Sequence, residues 1–340
     1  MRFEELVSLA PFTTLQIGGP ARWFAEVGTE EDVAEGVEFA RRRGLHFFVL
    51  GGGSNLLVRD AGFAGLVMHV GLRGIRQDGD CFEVGAGESW DAFVAHAVER
   101  GMAGIECLAG IPGTVGATPV QNVGAYGQEV AETIVKVRAF DTKPGKFVEL
   151  AAAECGFGYR RSNFNSTARG RYIVTAVMYR LRAGGEPRLN YADLQRRFPA
   201  GTKATLREVS AAVREIRHDK GMLILEGEAD CRSAGSFFKN PVMDAVHFAR
   251  IETASSEAVP SYPAGEGRVK MPAAWLVEHA GFAKGYTMGR AGISSKHTLA
   301  LVNLGGATSD EVLALAERIG GAVRERFGVL LEMEPVVLGW

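Results

Sequence analysis

The chain has 340 residues, a formal net charge of −2 at pH 7 and 46% apolar residues. This length allows two or three domains with a sizeable core. The near-neutral charge leaves no basic excess for a phosphate backbone, which argues against nucleic acid as the main partner. No apolar run approaches the roughly 20 residues that a membrane-spanning helix needs, and the start MRFEELVSLAPFTTL does not look like a signal peptide. We therefore expect a cytoplasmic protein without membrane insertion.

Cysteine and histidine usage gives no sign of a metal site. The four cysteines are widely spaced and form no C-x-x-C pair, and the seven histidines include no H-E-x-x-H motif. Such spacing is typical of buried thiols in a reducing compartment, not of a disulfide framework or a zinc site. We therefore expect no bound metal ion.

In the N-terminal half, apolar periodicity interrupted by glycines predicts most of the elements. A helix is expected at 31–43, because Val33, Val37 and Ala40 share one face and Gly44 follows as a stop signal. The other predicted elements are strands 46–50, 66–70 and 81–84, a helix at 89–100, and strands 134–140, 146–150 and 172–182. The long connection at 109–129 exceeds the usual loop length in compact domains, and such loops are usually functional.

In the C-terminal half, two capping boxes mark helix starts. Thr205 with Glu208 and Thr308 with Glu311 fit the pattern, which predicts helices 205–218 and 308–327. The other predicted segments are an irregular stretch at 219–232, helices 243–253 and 272–280, and strands 298–302 and 329–332. Because strands and helices mix without strict alternation, the expected class is α+β.

The stretch LGGGSNLLVRD, from Leu50 to Asp60, places three glycines directly after an apolar run. Glycine reaches unusual backbone conformations and lets another group approach the main chain closely. Followed by Ser54 and Asn55, the glycines suggest a loop whose N–H groups bind an anion. A tight connection between two elements explains the same residues equally well.

Two other patterns resemble catalytic motifs only weakly. VGAGES opens like a dinucleotide-binding fingerprint, but Trp90 stands where the third glycine should fall. Ser236 and Lys239 match S-x-x-K, without the companion motifs of penicillin-interacting enzymes. The small residues Ala234 and Gly235 place Ser236 in a tight turn, with Phe237 and Phe238 as core residues in the simplest interpretation.

Two charged positions attract attention because of their apolar surroundings. Arg160 lies in FGYRRSNF, where a tyrosine could pack against a guanidinium that is aimed into a pocket. The tail VLLEMEPVVLGW contains Glu332 and Glu334, which would share one face of a strand. Alternatively, Arg160 and Arg161 are a solvated pair on the surface, and the two glutamates lie on an exposed strand edge.

Taken together, six blocks resemble the UDP-N-acetylenolpyruvoylglucosamine reductase family over nearly the whole chain. They are PFTTLQIGGPA, LGGGSNLLVRD, GIPGTVGATPVQNVGAYGQE, FGYRRS, RSAGSFFKNP and AGISSKHTLALVN. The resemblance implies an FAD-binding fold of the vanillyl-alcohol-oxidase type with two FAD lobes and a separate α+β substrate domain. It implies lobe 1 at 1–72 and 330–340, lobe 2 at 73–218 with the FAD region at about 17–183, and the substrate domain at 219–329. The stretch 262–289, with Tyr191, resembles the longer of the family's two forms.

The resemblance also implies the chemistry. UDP-N-acetylglucosamine enolpyruvate would be reduced to UDP-N-acetylmuramate by NADPH through FAD, in a monomer. Arg160 and Glu334 would stabilise the enolate and Ser236 would protonate it. The implied FAD-binding residues are Gly51, Gly52, Gly53, Ser54, Asn55, Pro112, Gly113, Gly116 and Gly124. The implied substrate-binding residues are Tyr191, Lys220, Asn240, Lys284 and His297.

The chain departs from the family pattern at two places. KGMLILEGEADCRSAGS is longer than the corresponding stretch of many relatives and lacks its prolines, which affects the assignment of Lys220. The tail LEMEPVVLG lacks a proline between its glutamates, so Glu334 rather than Glu332 is a choice of register. An FAD-dependent oxidase acting on a sugar or alcohol, and a nucleotide-sugar binder without activity, are the alternative functions.

Overall fold

The computed structural model describes residues 1–225 and 227–339. Glu226 and Trp340, which belong to the predicted domain ranges, lie outside the described residues. The strands are β1 Glu4–Ser8, β2 Pro20–Val27, β3 Phe47–Leu50, β4 Leu56–Val58, β5 Phe63–Val70, β6 Ile75–Asp78, β7 Cys81–Gly85, β8 Met102–Ala103, β9 Gly124–Ala125, β10 Gln128–Glu129, β11 Ile134–Asp141, β12 Lys146–Ala151, β13 Tyr172–Arg180, β14 Arg182–Ala183, β15 Ser233–Ser236, β16 Val242–Asp244, β17 Tyr262–Pro263, β18 Arg268–Lys270, β19 Thr287–Met288, β20 Ala291–Ile293, β21 Ala300–Asn303 and β22 Val336–Leu338. The α-helices are α1 Glu30–Arg42, α2 Trp90–Glu99, α3 Thr118–Gln121, α4 Ala192–Arg197, α5 Leu206–Asp219, α6 Ala245–Ala254, α7 Ala273–His279 and α8 Ser309–Phe327.

The chain forms two compact units, and each is assembled from separate segments. Unit 1 consists of Met1–Ser8, Pro20–Gly53 and Phe63–Asp219. Unit 2 consists of Leu9–Gly19, Ser54–Gly62 and Lys220–Trp340. The LGGGSN loop therefore passes from unit 1 to unit 2 between Gly53 and Ser54.

Unit 1 contains two larger sheets. In the first, with strand order β1-β2-β5-β3, the pairs β2–β5 and β5–β3 are parallel. In the second, with order β12-β11-β13-β7-β6, all neighbours are antiparallel. Helix α2 turns Trp90 and Phe93 into the core against Tyr179 of β13, and the three rings contact one another. Trp90 is thus a core residue, and its indole N–H donates to the Leu108 carbonyl at 3.1 Å.

Unit 2 contains an antiparallel sheet with order β15-β21-β20-β19, a smaller one with order β16-β18-β17, and the parallel pair β22–β4. Helices α7 and α8 supply Leu276, Leu315 and Ile319 to its fully buried core. Phe237 and Phe238 belong to the same core, as the sequence suggested. Since β4 pairs with β22, Val336 lies beside Leu56, and the segment Ser54–Gly62 is joined to the C-terminal segment of unit 2.

The long periodic segments were predicted correctly. Helices α1, α2, α5, α7 and α8 lie within about two residues of their predicted limits, and both capping boxes are present. Gly328 ends α8 in the left-handed conformation, with φ of 66°. The α+β class is likewise confirmed.

Three predictions about local structure were wrong or incomplete. Residues 329–332 are not a strand, because their backbone forms no regular ladder with a neighbouring strand; the regular tail strand is β22. Strand β2 was missed, since Arg22 and Glu26 interrupt its apolar pattern. The connection 109–129 contains α3 and the β9–β10 hairpin, which are too short to show periodicity in a sequence.

The described residues contain no helix of the length and hydropathy that crossing a membrane requires.

The aspartate of LGGGSNLLVRD holds the start of α8. Both carboxylate oxygens of Asp60 accept from the Ser309 backbone N–H, at 2.9 and 3.1 Å, and one also accepts from the Ser309 hydroxyl at 2.7 Å. A carboxylate at a helix N-terminus satisfies an unpaired N–H and opposes the positive end of the helix dipole. The last residue of LGGGSNLLVRD therefore has a structural role of its own, separate from that of the glycines.

Asp60→Ala is expected to lower the free energy of unfolding by about 1 kcal/mol, the usual value of a lost helix cap. Urea denaturation followed by circular dichroism would measure this change. The control is Asp310→Ala, which removes a carboxylate at the same helix end that is 75% exposed and lies 3.6 Å from Arg59. If both variants lose equal stability, the Asp60 contacts do not hold the helix specifically.

Candidate active site

Two glycine-rich loops lie against each other in unit 1. A Cβ atom added to Gly52 would lie 2.6 Å from the Cα of Gly113, and one added to Gly51 would lie 2.6 Å from the Thr114 hydroxyl. A Cβ atom on Gly116 would lie 2.6 Å from that of Ala86. Between Gly52 and Gly113 there is no room for a side chain, so main-chain atoms line this part of the junction.

This junction fits the pyrophosphate of a dinucleotide. A concave stretch of backbone N–H groups binds phosphate oxygens without a charged side chain. Neither glycine-rich run contains lysine or arginine between its ends. Gly51, Gly52, Gly53, Pro112, Gly113 and Gly116 could therefore hold the cofactor through their main chain.

Helices α2 and α5 hold the second loop at Gly110. The Gly110 N–H donates to Asp91 at 2.6 Å, and its carbonyl accepts from the Arg217 Nε at 3.0 Å. Asp91 also accepts from Arg214, which joins α5 to α2. Burial lowers the pKa of the Arg217 guanidinium. Tyr126 and Asp91 act in the opposite direction and offset part of this lowering. Sequence reasoning missed these residues, because each looks like an ordinary surface charge on an amphipathic helix.

Arg160 stands at the tip of a tight hairpin with a left-handed backbone, at φ of 52°. Its Nη2 donates to the Gly124 carbonyl at 2.7 Å, and its guanidinium carbon lies 5.5 Å from the centre of the Tyr159 ring. The predicted contact between the tyrosine and the guanidinium is therefore present. A bulky residue in this conformation is strained, and such strain concentrates at functional sites.

Tyr191 precedes α4 and packs edge-on against Tyr126, with 5.3 Å between the ring centres. Tyr126 also has a left-handed backbone, with φ of 47°, at the turn of the β9–β10 hairpin. Unit 1 thus gathers the glycine loops, Gly124, Arg160 and Tyr191 around the segment 110–129.

In unit 2, Ser236 ends a bulged strand and not the tight turn that the sequence suggested. Ser233 faces Val302 and Ser236 faces Ala300, so β15 has one residue more than β21 between these pairs. Gly235 takes up the extra residue with φ of 72°. A bulge redirects the side chain that follows it. Among the described residues of unit 2, the Ser236 hydroxyl has no hydrogen-bond partner.

The tail carrying Glu334 is bound to the segment that follows Ser236. The Glu334 N–H donates to the Phe237 carbonyl at 2.9 Å, and the Lys239 N–H donates to the Glu332 carbonyl at 2.9 Å. The Asn55 side chain donates to the Glu334 carbonyl at 3.2 Å. Segments 54–55, 236–239 and 332–334, far apart in sequence, therefore meet in unit 2.

The two tail glutamates differ in their surroundings. Glu332 forms an ion pair with Lys239, and its side chain is 73% exposed. Glu334 is half-buried next to Phe237. The prediction that both glutamates lie on one face of a strand was wrong. Residues 332–334 form no strand, and Met333 between them forms a single isolated bridge with Phe238.

The segments that carry Lys220, Lys284 and His297 meet around buried Ser294. The Ser294 hydroxyl accepts from the His297 N–H at 3.2 Å, and its carbonyl accepts from the Gly285 N–H at 3.2 Å. A Cβ atom added to Gly221, next to Lys220, would lie 3.3 Å from the same hydroxyl. Sequence reasoning placed these residues individually and did not identify Ser294 as their common contact.

Asn240 has a structural contact at the start of α7. Its side-chain oxygen accepts from the Ala273 N–H at 2.9 Å, beyond Pro272, which cannot donate. Among the described residues, there is no group of three or more histidine, cysteine, aspartate or glutamate side chains with the geometry of a metal site.

Comparisons with known proteins agree with this arrangement. A family model described as UDP-N-acetylenolpyruvoylglucosamine reductase, C-terminal domain, matches residues 227–338, and a model described as FAD binding domain matches residues 21–151. The UDP-N-acetylenolpyruvoylglucosamine reductase of Streptomyces coelicolor is 46% identical, covering 97% of this chain and 89% of the relative. That of Thermobifida fusca is also 46% identical, covering 99% of this chain and 98% of the relative.

A solved structure is similar over the full length. The crystal structure of the UDP-N-acetylenolpyruvylglucosamine reductase from Thermus caldophilus aligns with a TM-score of 0.71 at 29% identity, covering 100% of both chains. The FAD-binding fold that the sequence predicted is thus confirmed.

Proposed function

Because the chain belongs to the UDP-N-acetylenolpyruvoylglucosamine reductase family, we propose that it reduces the enolpyruvyl C=C of UDP-N-acetylglucosamine enolpyruvate to UDP-N-acetylmuramate. The enzyme is an FAD-dependent oxidoreductase with NADPH as co-substrate. The structural observation that carries the proposal is the pairing of the Ser236 segment with the Glu334 tail. It brings a hydroxyl donor and a carboxylate to neighbouring positions of one unit.

The glycine-rich loops hold the cofactor in this proposal. Gly51–Asn55 and residues 112–116 bind its pyrophosphate through backbone N–H groups, and Gly124 belongs to the same site. Support comes from the close approach of Gly52 to Gly113, which excludes side chains where the loops meet. When bound, FAD supplies hydride that originates from NADPH.

Arg160 stabilises negative charge that develops on the substrate during reduction. Its guanidinium is oriented by the Gly124 carbonyl, and a cation fixed before the reaction stabilises charge without further reorganisation. Such an interaction commonly contributes several kcal/mol to the transition state. Arginine suits this role because its planar fork matches a carboxylate and it remains charged.

Ser236 donates a proton to the substrate carbon after hydride addition. A serine hydroxyl is a weak acid, so it must lie within hydrogen-bond reach and recover its proton from a neighbour or water. Glu334 is assigned, with Arg160, to the stabilisation of the enolate. It is preferred over Glu332 because it is half-buried beside Phe237, next to Ser236, whereas the Glu332 side chain is 73% exposed. The bulge at Gly235 fixes the direction of the hydroxyl.

The UDP-sugar is bound by Tyr191, Lys220, Asn240, Lys284 and His297. Lys220 and Lys284 serve its phosphates, since lysine is a compact and flexible cation. The meeting of three of their segments at Ser294 supports this assignment. We assign FAD lobes to 1–72 with 330–340 and to 73–218, a substrate domain to 219–329, and a monomer in the cytoplasm. The separate C-terminal family model, which matches 227–338, supports a distinct domain in the C-terminal part of the chain.

NADPH oxidation that depends on UDP-N-acetylglucosamine enolpyruvate tests the proposal. The purified protein is expected to be yellow, and NADPH absorbance should fall when the enolpyruvyl substrate is added. The control replaces it with UDP-N-acetylglucosamine, which lacks the double bond. Sugar-dependent peroxide formation would instead indicate an oxidase, and tight substrate binding without turnover would indicate a binding protein.

A further inference from the structure

Arg160 lies at the turn of a short hairpin that is closed by only two backbone hydrogen bonds between Gly158 and Arg161. The Gly158 N–H donates to the Arg161 carbonyl at 2.9 Å, and the Arg161 N–H donates to the Gly158 carbonyl at 3.1 Å. These bonds leave Tyr159 and Arg160 as the turn residues. The left-handed backbone of Arg160 is unfavourable for a residue with a Cβ atom, so contacts from outside the turn must hold it.

Buried Asn122 touches this hairpin from the neighbouring loop. Its Nδ2 donates to the Gly158 carbonyl at 3.0 Å and to the Glu129 carboxylate at 2.8 Å. Its Oδ1 accepts from the Ala131 N–H at 3.1 Å. Asn122 is 1% exposed and left-handed itself, with φ of 46°, a conformation that asparagine tolerates. Only a side-chain amide offers two donors and an acceptor in this shape.

The same contacts reach the acceptor of the Arg160 guanidinium. Glu129 pairs with Gly124 across the β9–β10 hairpin, and the Gly124 carbonyl receives the Arg160 Nη2. Asn122 is therefore joined to Arg160 by two routes, one through the Gly158 backbone and one through Glu129 and Gly124. The Ser162 hydroxyl, which donates to the Val120 carbonyl at 2.6 Å, binds the hairpin to the same loop.

We propose that Asn122 is a positioning residue for the reaction: it holds the Arg160 hairpin and the Gly124 carbonyl in register, so that the guanidinium is aimed before substrate binds. This inference rests on the proposed function, because it takes Arg160 as the group that stabilises charge on the substrate. Glu129 is the second member of the arrangement. Asn122 itself does not contact the substrate.

The decisive variant is Asn122→Asp, which keeps the shape and removes both N–H donors. The new side chain would face the Gly158 carbonyl and the Glu129 carboxylate. As a carboxylate it repels both acceptors, and as a protonated acid it can donate to only one of them, so at least one contact is lost. Because misplacing a catalytic group by about 1 Å costs up to roughly 10²-fold, kcat should fall about 10- to 100-fold, with a smaller change in KM. FAD affinity, measured by flavin fluorescence with the apoprotein, should fall much less than kcat, because the contact between Gly52 and Gly113 is untouched.

Glu129→Gln provides the matched rescue. Alone, it should remain near the wild-type kcat, because the glutamine oxygen still accepts from Asn122. Combined with Asn122→Asp, it places an amide donor opposite the new carboxylate and should restore part of kcat. A residue needed only for folding would give lower thermal stability and weaker FAD binding with no such recovery.

Arg160→Ala separates failure of this inference from failure of the proposed function. The double variant Asn122→Asp with Arg160→Ala should be no slower than Arg160→Ala alone, since Asn122 acts through the arginine. If Arg160→Ala lowers kcat but the effects of Asn122→Asp and Arg160→Ala on kcat multiply in the double variant, the positioning role is refuted while the function stands. The same holds if Asn122→Asp leaves kcat unchanged.

If Arg160→Ala keeps full turnover, the assigned role of Arg160 fails, and the inference fails with it. Asn122→Gly, which keeps the left-handed backbone, should reproduce the kcat loss if the aspartate variant does not fold.

Discussion

Substituting Ser236 by alanine is expected to slow substrate-dependent oxidation of the reduced flavin by about 10²–10⁴-fold, the range for loss of a positioned general acid. Reduction of the flavin by NADPH should remain at the wild-type rate, because it requires no proton from Ser236. Stopped-flow absorbance of the flavin measures the two half-reactions separately. The expected result is therefore a defect confined to one of them.

The position of Ser236 explains why the defect should be chemical and not structural. The residue follows the bulge of β15, and its hydroxyl has no partner among the described residues of unit 2. Its removal leaves no buried group unsatisfied there, so stability should change little. The neighbours Phe237 and Phe238 carry the packing of this segment.

Ser233→Ala is the matched control for this variant. Ser233 lies on the same strand, but it is buried, and its hydroxyl accepts from the Gly235 N–H at 3.4 Å. Its loss should change the substrate half-reaction less than tenfold. If Ser233→Ala and Ser236→Ala have equal effects, or if Ser236→Ala slows both half-reactions alike, Ser236 supports the strand and does not donate the proton.

The parts of the fold that the sequence predicted are those with a local physical cause. Thr308 with Glu311 begins α8 through contacts within one turn, and Gly328 ends it because glycine accepts the left-handed conformation. Strand β2 could not be recognised in the same way. It is stabilised by pairing with β1 and β5, and its own pattern is broken by Arg22 and Glu26.

At the candidate site, too, local features were predictable from the sequence and contacts between distant segments were not. Glycine runs indicate a need for close approach, and Gly52 indeed lies against Gly113. The glycine run does not show which segment approaches it, because Gly52 and Gly113 are about sixty positions apart in the sequence. Asn122 and Ser294 escaped notice for that reason: their importance lies in the segments that they join, through one amide and one hydroxyl. The resemblance to a family placed both glycine-rich loops at one cofactor site in advance, but it did not indicate Asn122 or Ser294.

Gly52→Ala is expected to weaken FAD binding by about 10- to 100-fold. The added Cβ would lie 2.6 Å from the Gly113 Cα and 3.1 Å from its carbonyl carbon, and neither backbone atom can rotate away. Forcing an extra methyl group into such a contact costs about 1–3 kcal/mol and displaces one loop from the other. Titration of the apoprotein with FAD, followed by flavin fluorescence, measures the loss.

Two further alanine substitutions distinguish displacement of the loops from a general effect of replacing glycine. A Cβ on Gly51 meets the Thr114 hydroxyl at 2.6 Å but the Thr114 Cβ only at 3.8 Å, so Thr114→Ala should relieve the defect of Gly51→Ala. No side-chain substitution should rescue Gly52→Ala, because its obstacle is backbone. Gly321→Ala, in α8, where a Cβ meets nothing within 4 Å, should leave FAD affinity unchanged and favour the helix slightly. If Gly52→Ala binds FAD like Gly321→Ala, the contact between the loops does not form the cofactor site.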